Sequence, residues 1–345
     1  MKVLELFSGI GGIHYALEAN GIAVEVLAVE INPNASNVYL HNFSNSRLLQ
    51  KNILSLGAIE LNKFSPEALL MSPPCQPFTR VGLRKDLDDA RSDPLKHILS
   101  FLPEITSLKY IFVENVKGFE SSEARNKLVT CLKNLQFEIQ EFIITPTQIG
   151  FPNMRNRYYL LGKKKPLQFG FKTSEIMTEL PEELEEIVKS LNQKFPDVKV
   201  VADVLEMDDV TSRVYQDHLL TEDLVKKRLR VMDVVCKDAD KTCCFTKAYG
   251  RYVEGTGSVF CPLAREVLQK LVTVKSQDVD DATIRSLNLR YFTPREVARL
   301  MSFPDERFTF PPNITRQQRY KLLGNSVNVK VVALLLNILF HQPVL

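Results

Sequence analysis

The chain has 345 residues, of which 45% are hydrophobic and 25% charged. This composition is typical of a folded globular protein and excludes a disordered one, and the length predicts about two domains. The longest uncharged apolar run, residues 331–340, is too short to cross a bilayer and predicts a buried helix. The net charge of +3 hides an acidic stretch at residues 171–210, so basic residues concentrate elsewhere. Solvated surface charge is the simpler interpretation of these basic runs, and a surface that faces a polyanion is the alternative.

The beginning of the chain and its cysteines indicate where the protein resides. Residues 1–7 contain an acidic residue and lead into glycines, which predicts a buried strand rather than a secretion signal. The six cysteines have no spacing typical of a zinc site, and we expect reduced thiols and no metal. The expected location is therefore cytoplasmic, with the nucleus as a further site.

Short apolar runs alternate with helical patterns through residues 1–165. The predicted strands are 3–6, 24–29, 68–71, 110–113, 138–143 and 158–161, and the predicted helices are 12–19, 34–41, 95–105 and 124–135. This alternation predicts the α/β class, with a doubly wound, mostly parallel, Rossmann-like sheet covered by helices on both faces. Such sheets bind ligands at the carboxyl ends of their strands.

The composition becomes polar near Pro166 and stays so to about residue 289, with helical patterns at 181–191 and 263–271. The tail from Leu322 is strongly apolar again and needs a core to cover it. We therefore predict one domain made of residues 1–168 plus 316–345, and a smaller second domain over residues 169–315.

A glycine loop follows the first predicted strand. Gly9, Gly11 and Gly12 let a ligand approach the backbone closely, and the amides at the start of the next helix point toward it. Glu30 ends the second strand, where a carboxylate suits ribose hydroxyls. A dinucleotide loop usually has a third glycine where His14 stands, and this loop instead resembles that of S-adenosylmethionine-dependent methyltransferases. A tight turn without a ligand is the alternative.

A second loop contains a candidate nucleophile. Three prolines surround Cys75, at positions 73, 74 and 77, and hold it at the ligand-binding edge of the sheet. A cysteine thiolate is a strong nucleophile. The alternative is a structural cysteine, a small buried residue in a rigid turn. Glu114 ends the next strand at this edge. Arg155 and Arg157 alternate along an extended segment, which predicts that they project to one face.

The ordered motifs resemble those of the C5-cytosine methyltransferase family. They are Phe7-x-Gly9-x-Gly11, Pro73-Pro74-Cys75-Gln76, Glu114-Asn115-Val116, Arg155-x-Arg157 and Gly324-Asn325-Ser326-Val327. Within the family, the chain most resembles the tRNA-directed eukaryotic branch, long called DNA methyltransferase 2. The features that carry this resemblance are the short chain and the sequence Cys244-Phe245-Thr246. Two positions depart from the family pattern: Asn153 stands where Gln is frequent, and Asn52 where bacterial relatives carry Asp.

The resemblance implies transfer of a methyl group from S-adenosylmethionine, leaving S-adenosylhomocysteine, to cytosine 38 in the anticodon loop of tRNA-Asp through a Cys75–C6 adduct. It implies that Cys75, Glu114, Arg155 and Arg157 are catalytic. The cofactor-binding residues that it implies are Phe7, Ile10, Gly11, Gly12, Glu30, Ile31, Asn52, Ile53, Ser72, Pro74, Asn325, Ser326 and Val327. The first domain would be catalytic. The second would recognise the target, with basic residues 226–230 and 247–251 on phosphates.

Three other functions stay open at this point. A DNA C5-cytosine methyltransferase would use the same catalytic residues, because the chemistry on the base is identical. A catalytically silent nucleic-acid-binding protein would not need Cys75, Glu114 and both arginines intact. A nucleotide-cofactor oxidoreductase is disfavoured by the missing third glycine. We expect a monomer without a membrane and a structural role for Cys244.

Overall fold

The computed structural model describes residues 1–74, 93–171, 175–206, 209–272 and 281–341. The chain forms two compact units. The first comprises Met1–Gln148, Asn156–Phe195 and Val329–Leu345, and the second comprises Ile149–Arg155 and Pro196–Asn328.

A seven-stranded sheet forms the centre of the first unit. Its strands are β1 (Lys2–Leu6), β2 (Glu25–Val29), β3 (Arg47–Leu49), β4 (Ala68–Met71), β5 (Tyr110–Val116), β6 (Phe137–Ile144) and β7 (Arg157–Lys164). Their spatial order is β3-β2-β1-β4-β5-β7-β6. All pairings are parallel except those of β7, which lies antiparallel between β5 and β6. The predicted mostly parallel α/β sheet is confirmed.

Helices cover both faces of this sheet. They are α1 (Gly12–Ala19), α2 (Pro33–Asn42), α3 (Ala58–Phe64), α4 (Asp93–Phe101), α5 (Glu123–Asn134), α6 (Glu185–Asn192) and α13 (Val329–Phe340). Alternate strand residues point to opposite faces. Leu4 and Leu6 therefore join the core under α3, α4 and α5, whereas α1 packs against α13 on the other face. The sequence patterns did not predict β3 or α3.

The second unit contains short helices and a small sheet. Its elements are α7 (Arg213–Gln216), α8 (Glu222–Arg228), β8 (Asp233–Val235), β9 (Ser258–Phe260), α9 (Arg265–Val272), α10 (Asp281–Ser286), β10 (Arg290–Tyr291), α11 (Pro294–Leu300) and α12 (Arg316–Gly324). β9 pairs parallel with β8 and antiparallel with β10.

A buried ion pair organises the second unit. The Arg290 guanidinium donates to both Glu296 carboxylate oxygens, at 2.7 and 2.8 Å, and neither side chain is more than 1% exposed. The Arg290 guanidinium also lies over the rings of Tyr215 and Phe260. Glu296 accepts further backbone amide hydrogen bonds, including that of Thr293 at 2.8 Å. These contacts satisfy a charge pair that would be costly to bury alone.

The bounds of the two units differ from the predicted domain bounds. The first unit continues to Phe195, because α6 packs against α13 and the Lys330 ammonium lies 6.0 Å from the centre of the Phe195 ring. α12 belongs to the second unit rather than to the returning tail. Polar composition alone did not indicate these contacts, because they join segments distant in sequence.

The C-terminal helical stretch 316–340 is long and apolar enough to cross a membrane by length and composition. However, 83% of its most apolar stretch of 18 residues is buried within the molecule, as in the core helix of a folded domain. Its hydrophobicity is therefore accounted for by packing.

A carboxylic acid lies buried in strand β1. Glu5 is 0% exposed and accepts a hydrogen bond from the Tyr39 hydroxyl at 3.2 Å. The same Tyr39 hydroxyl lies 2.6 Å from His14 Nδ1. Burial raises the pKa of Glu5 to about 8, and repulsion from the Glu30 carboxylate adds to this. Glu5 is therefore protonated in the folded protein near neutral pH, whereas it is ionised in the unfolded chain.

This difference predicts a pH-dependent loss of stability. Because the folded pKa is the higher one, the stabilisation is complete below pH 4.5, the ordinary pKa, and is lost as the pH rises toward about 8. Glu5→Gln keeps the shape of the neutral acid, so its free energy of unfolding should not fall across this window. Urea denaturation at several pH values measures the free energy of unfolding of the wild type and of Glu5→Gln. Glu25→Gln, at an exposed site on β2, should retain the wild-type slope. Parallel curves for wild type and Glu5→Gln would contradict this account.

Candidate active site

The glycine loop follows β1 in a backbone conformation that few residues adopt. Gly9 and Gly11 have φ of 54° and 87°, and Phe7 has φ of 58° without being glycine. The left-handed region is strained for residues with a side chain, so Phe7 is held there by its surroundings. The loop closes through a hydrogen bond from the Gly11 amide to the Ser8 carbonyl at 3.0 Å, and α1 then begins at Gly12.

An aromatic ring fixes the space allowed to this loop. A Cβ atom on Gly11 would overlap the ring of Phe43. Phe43 cannot retreat easily, because it stacks on His14 with ring centres 4.0 Å apart and contacts Tyr15 and Tyr39. Gly11 is therefore required both by its backbone angle and by its close approach to Phe43.

Glu30 clamps the loop from the end of β2. Its Oε2 accepts the Gly9 amide at 2.9 Å, and its Oε1 accepts the Asn32 amide at 2.7 Å. A carboxylate offers about four acceptor positions. Each Glu30 oxygen can thus accept one more hydrogen bond, as paired ribose hydroxyls would require.

The other predicted cofactor-binding residues of the first unit are placed as follows. Ile10 and Ile53 are buried, and Ile31, directly after Glu30, is 59% exposed. Asn52 caps the short helical turn that begins at Ile53, because its Oδ1 accepts the Leu54 amide at 3.0 Å. Asn52 therefore has a structural task besides any contact with a ligand.

The segment before Cys75 is anchored to the same sheet edge. The Ser72 hydroxyl donates to the Phe7 carbonyl at 3.3 Å, and the Asn115 amide donates to the Pro73 carbonyl at 3.3 Å. These bonds join the ends of β1, β4 and β5. Pro74 is exposed at the end of this segment. The predicted nucleophile Cys75, with Gln76, lies outside the described residues.

A carboxylate–guanidinium pair lies where β5 meets β7. Arg157 Nε is 3.3 Å from Glu114 Oε1, and the two side chains are only 15% and 10% exposed. Glu114 stands opposite Tyr159 in the antiparallel register, which places Arg157 opposite Val116. Two of the four predicted catalytic residues are thus in contact at the carboxyl end of β5.

Arg155 has different partners from Arg157. It is 3% exposed and belongs to the second unit, where its guanidinium donates to the carbonyls of Phe245, Gly324 and Ser326 and to Cys244 Sγ at 3.4 Å. We expected both arginines to project to one face of the segment. In the structure they contact different groups: Arg155 donates to backbone carbonyls, whereas Arg157 pairs with Glu114.

Arg155 joins two of the sequence motifs inside the second unit. Gly324 packs directly on the backbone of Thr246 and Lys247, where a Cβ atom has no room. Asn325 ends α12, and Ser326 and Val327 are buried beside it. These three residues were predicted to bind the cofactor. The Ser326 carbonyl accepts a hydrogen bond from Arg155, which also donates to the Phe245 carbonyl and so joins the motif to the loop at 244–247.

The model of the C-5 cytosine-specific DNA methylase family matches residues 1–341. The chain belongs to this family.

Several named relatives align with this chain over almost the full length of both sequences. The tRNA (cytosine(38)-C(5))-methyltransferase of Spodoptera frugiperda is 40% identical over 99% of both chains, and that of Homo sapiens is 38% identical over 99% of both. A protein of Dictyostelium discoideum named DNA (cytosine-5)-methyltransferase is 35% identical over 98% of this chain and 94% of its own. A crystal structure of a Spodoptera frugiperda DNMT2 mutant superposes with a TM-score of 0.85, at 40% identity and 99% coverage of both chains.

Sequence reasoning missed three groups at this methylase site. Phe43 sets the space beside Gly11, Asn115 holds Pro73, and the buried Ser8 hydroxyl has no hydrogen-bond partner among the described residues. Ser8 and Asn115 lie within the family motifs, so the motifs could have identified them as site residues. Phe43 lies far from the loop in sequence and gave none. No cluster of three or more His, Cys, Asp or Glu residues that could hold a metal occurs among the residues described.

The loop geometry predicts the effect of one methyl group in this methylase. Gly11→Ala combines a strained φ with overlap of the Phe43 ring, so it should lower the free energy of unfolding by about 2 kcal/mol and weaken nucleoside-cofactor binding. Calorimetry with the cofactor, alongside thermal unfolding, measures both effects. Gly57→Ala is the matched control, because nothing lies within 4 Å of its added Cβ. Wild-type binding by Gly11→Ala would contradict the close packing inferred here.

Proposed function

We propose that this chain is a tRNA (cytosine-C5)-methyltransferase that uses S-adenosylmethionine and modifies cytosine 38 in the anticodon loop of tRNA-Asp. The observation that carries the chemistry is the Glu114–Arg157 pair, 3.3 Å apart, at the same sheet edge as the glycine loop. The substrate assignment is supported by full-length relatives named tRNA (cytosine(38)-C(5))-methyltransferase.

The residues at the glycine loop fit S-adenosylmethionine. The free acceptor positions of Glu30 suit the ribose hydroxyls, and the exposed apolar side chain of Ile31 suits one face of the adenine. The Ser8 hydroxyl, buried without a partner among the described groups, is a further polar contact for the ligand. When bound, S-adenosylmethionine supplies an electrophilic methyl group.

The chain's own residues would activate the cytosine. The Cys75 thiolate adds to C6, which makes C5 nucleophilic toward the methyl group. After transfer, loss of the C5 proton expels the thiolate and restores the aromatic ring. In this proposal Cys75 supplies and then recovers the electron pair, so no oxidant or reductant is needed.

Glu114 would stabilise the ring as the adduct forms. Its carboxyl group shares a proton with N3 of the cytosine, and Arg157 orients both the carboxyl and the base. Arg155, engaged by three carbonyls, would act as a positioning residue for the motif at 324–326.

An anticodon loop suits this chemistry better than a duplex. The target base has to leave its stack before C5 and C6 can be reached, and this costs least for a base that is already unpaired. DNA stays the second candidate, because the Dictyostelium relative is named a DNA methyltransferase and the pocket chemistry is the same. The monomeric state and the cytoplasmic or nuclear location stay predictions from the sequence.

Methyl transfer from labelled S-adenosylmethionine tests the proposal, with total tRNA and duplex DNA offered in parallel. We expect label on tRNA, none with Cys75→Ala, and a rate lowered about a hundredfold or more with Glu114→Gln. Glu123→Gln, an exposed glutamate paired with Lys127 on α5, should behave as wild type.

Three outcomes of this assay would contradict the proposal. Label on DNA alone would overturn the substrate, and undiminished label with Cys75→Ala would overturn the mechanism. The absence of label on both nucleic acids would favour a silent binding protein.

A further inference from the structure

Tyr252 differs from every other aromatic residue that the structure describes. It is 54% exposed, whereas the remaining phenylalanine and tyrosine side chains in the described ranges are buried or partly buried. Tyr249, three residues earlier in the same loop, is 1% exposed. Leaving one large ring in water forgoes the stabilisation that burial gives to the others.

The loop that carries this ring is held firmly. A Cβ on Gly250 would lie 2.6 Å from the Tyr320 ring, and one on Gly257 would lie 2.7 Å from Phe245 and Tyr249. The backbone of Tyr252 is bonded on both sides, since its amide donates to the Ala248 carbonyl at 3.2 Å and its carbonyl accepts the Thr256 hydroxyl at 2.6 Å. The exposed ring therefore stands on an ordered support.

A positive charge lies beside the ring. The Arg251 guanidinium lies 5.2 Å from the centre of the Tyr252 ring, and Lys247 is exposed in the same loop. The nearby Glu254 carboxylate pairs with Arg228 at 3.4 Å, so its charge is balanced. Residues 226–230 were also expected to contact phosphates, but Lys226 and Arg228 form ion pairs with Asp281 and Glu254. Lys227 and Arg230 of that run are exposed, as are Lys247 and Arg251 in the loop at 247–252. Arg251 is the cation that lies beside the exposed ring.

We propose that Tyr252 and Arg251 form a stacking platform for one unpaired base of the RNA substrate. This inference rests on the proposed tRNA function and adds a binding residue to it. An aromatic ring beside an arginine binds a base face and its phosphate together, and only unpaired bases expose that face. A single ring among charged side chains is too small and too polar in its surroundings for an apolar protein interface.

An RNA hairpin with 2-aminopurine in its single-stranded loop is the probe. Tyr252→Ala should bind it about tenfold more weakly and reduce the fluorescence quenching that accompanies stacking. Tyr252→Phe keeps the ring and should bind within about twofold of wild type. In methyl transfer to tRNA, Tyr252→Ala should raise KM about tenfold and leave kcat at saturating RNA little changed.

A matched variant separates the platform from general effects of a lost side chain. Val267→Ala shortens an apolar side chain that is 45% exposed in the same unit, and it should bind the hairpin as wild type does. S-adenosylmethionine affinity and the thermal midpoint should be unchanged in all three variants. Paired RNA should bind wild type and Tyr252→Ala equally.

The outcomes distinguish this inference from the proposed function. A wild-type protein that methylates tRNA, together with a Tyr252→Ala variant that binds the hairpin normally, overturns the platform and leaves the function standing. Equal weakening in Tyr252→Phe and Tyr252→Ala also overturns it, because the hydroxyl and not the ring would then be responsible. A wild-type protein that methylates no tRNA overturns the function on which the platform rests.

Discussion

The parallel pairing of β1 with both β2 and β4 is the constraint on which the site depends. Leu6 stands opposite Val29 on one side and opposite Met71 on the other, and Met71 in turn stands opposite Val113. The four strands therefore reach the same edge at the same level. The glycine loop from Phe7, Glu30, the Ser72–Pro74 segment and Glu114 all begin at the residue that directly follows one of these positions.

Hydrogen bonds between these strand ends hold the edge together. Glu30 binds the Gly9 amide, Ser72 binds the Phe7 carbonyl, and Asn115 binds the Pro73 carbonyl. Each bond joins residues distant in sequence, so the strained backbone at Phe7 is supported from two neighbouring strands. Such preorganisation lowers the cost of ordering a site when a ligand binds.

The sequence predicted the strands and motifs of the first unit well, because buried parallel strands are continuous apolar runs and glycine loops have a recognisable spacing. It did not predict β3, which has three residues and partly exposed side chains. It also could not assign Arg155 and Arg157 to different partners. Alternation along an extended segment indicates a shared face, whereas the carbonyls that engage Arg155 come from residues about 90 and 170 positions away.

A covalent trap would show which thiol attacks C6 of the cytosine. RNA carrying 5-fluorocytosine at position 38 has no C5 proton to lose, so the enzyme stays bonded to C6 after methyl transfer. Mass spectrometry of the digested adduct should then identify Cys75 as the modified residue, and Cys75→Ala should form no adduct. A bond to Cys244, or methylated cytosine without any trapped thiol, would contradict the account.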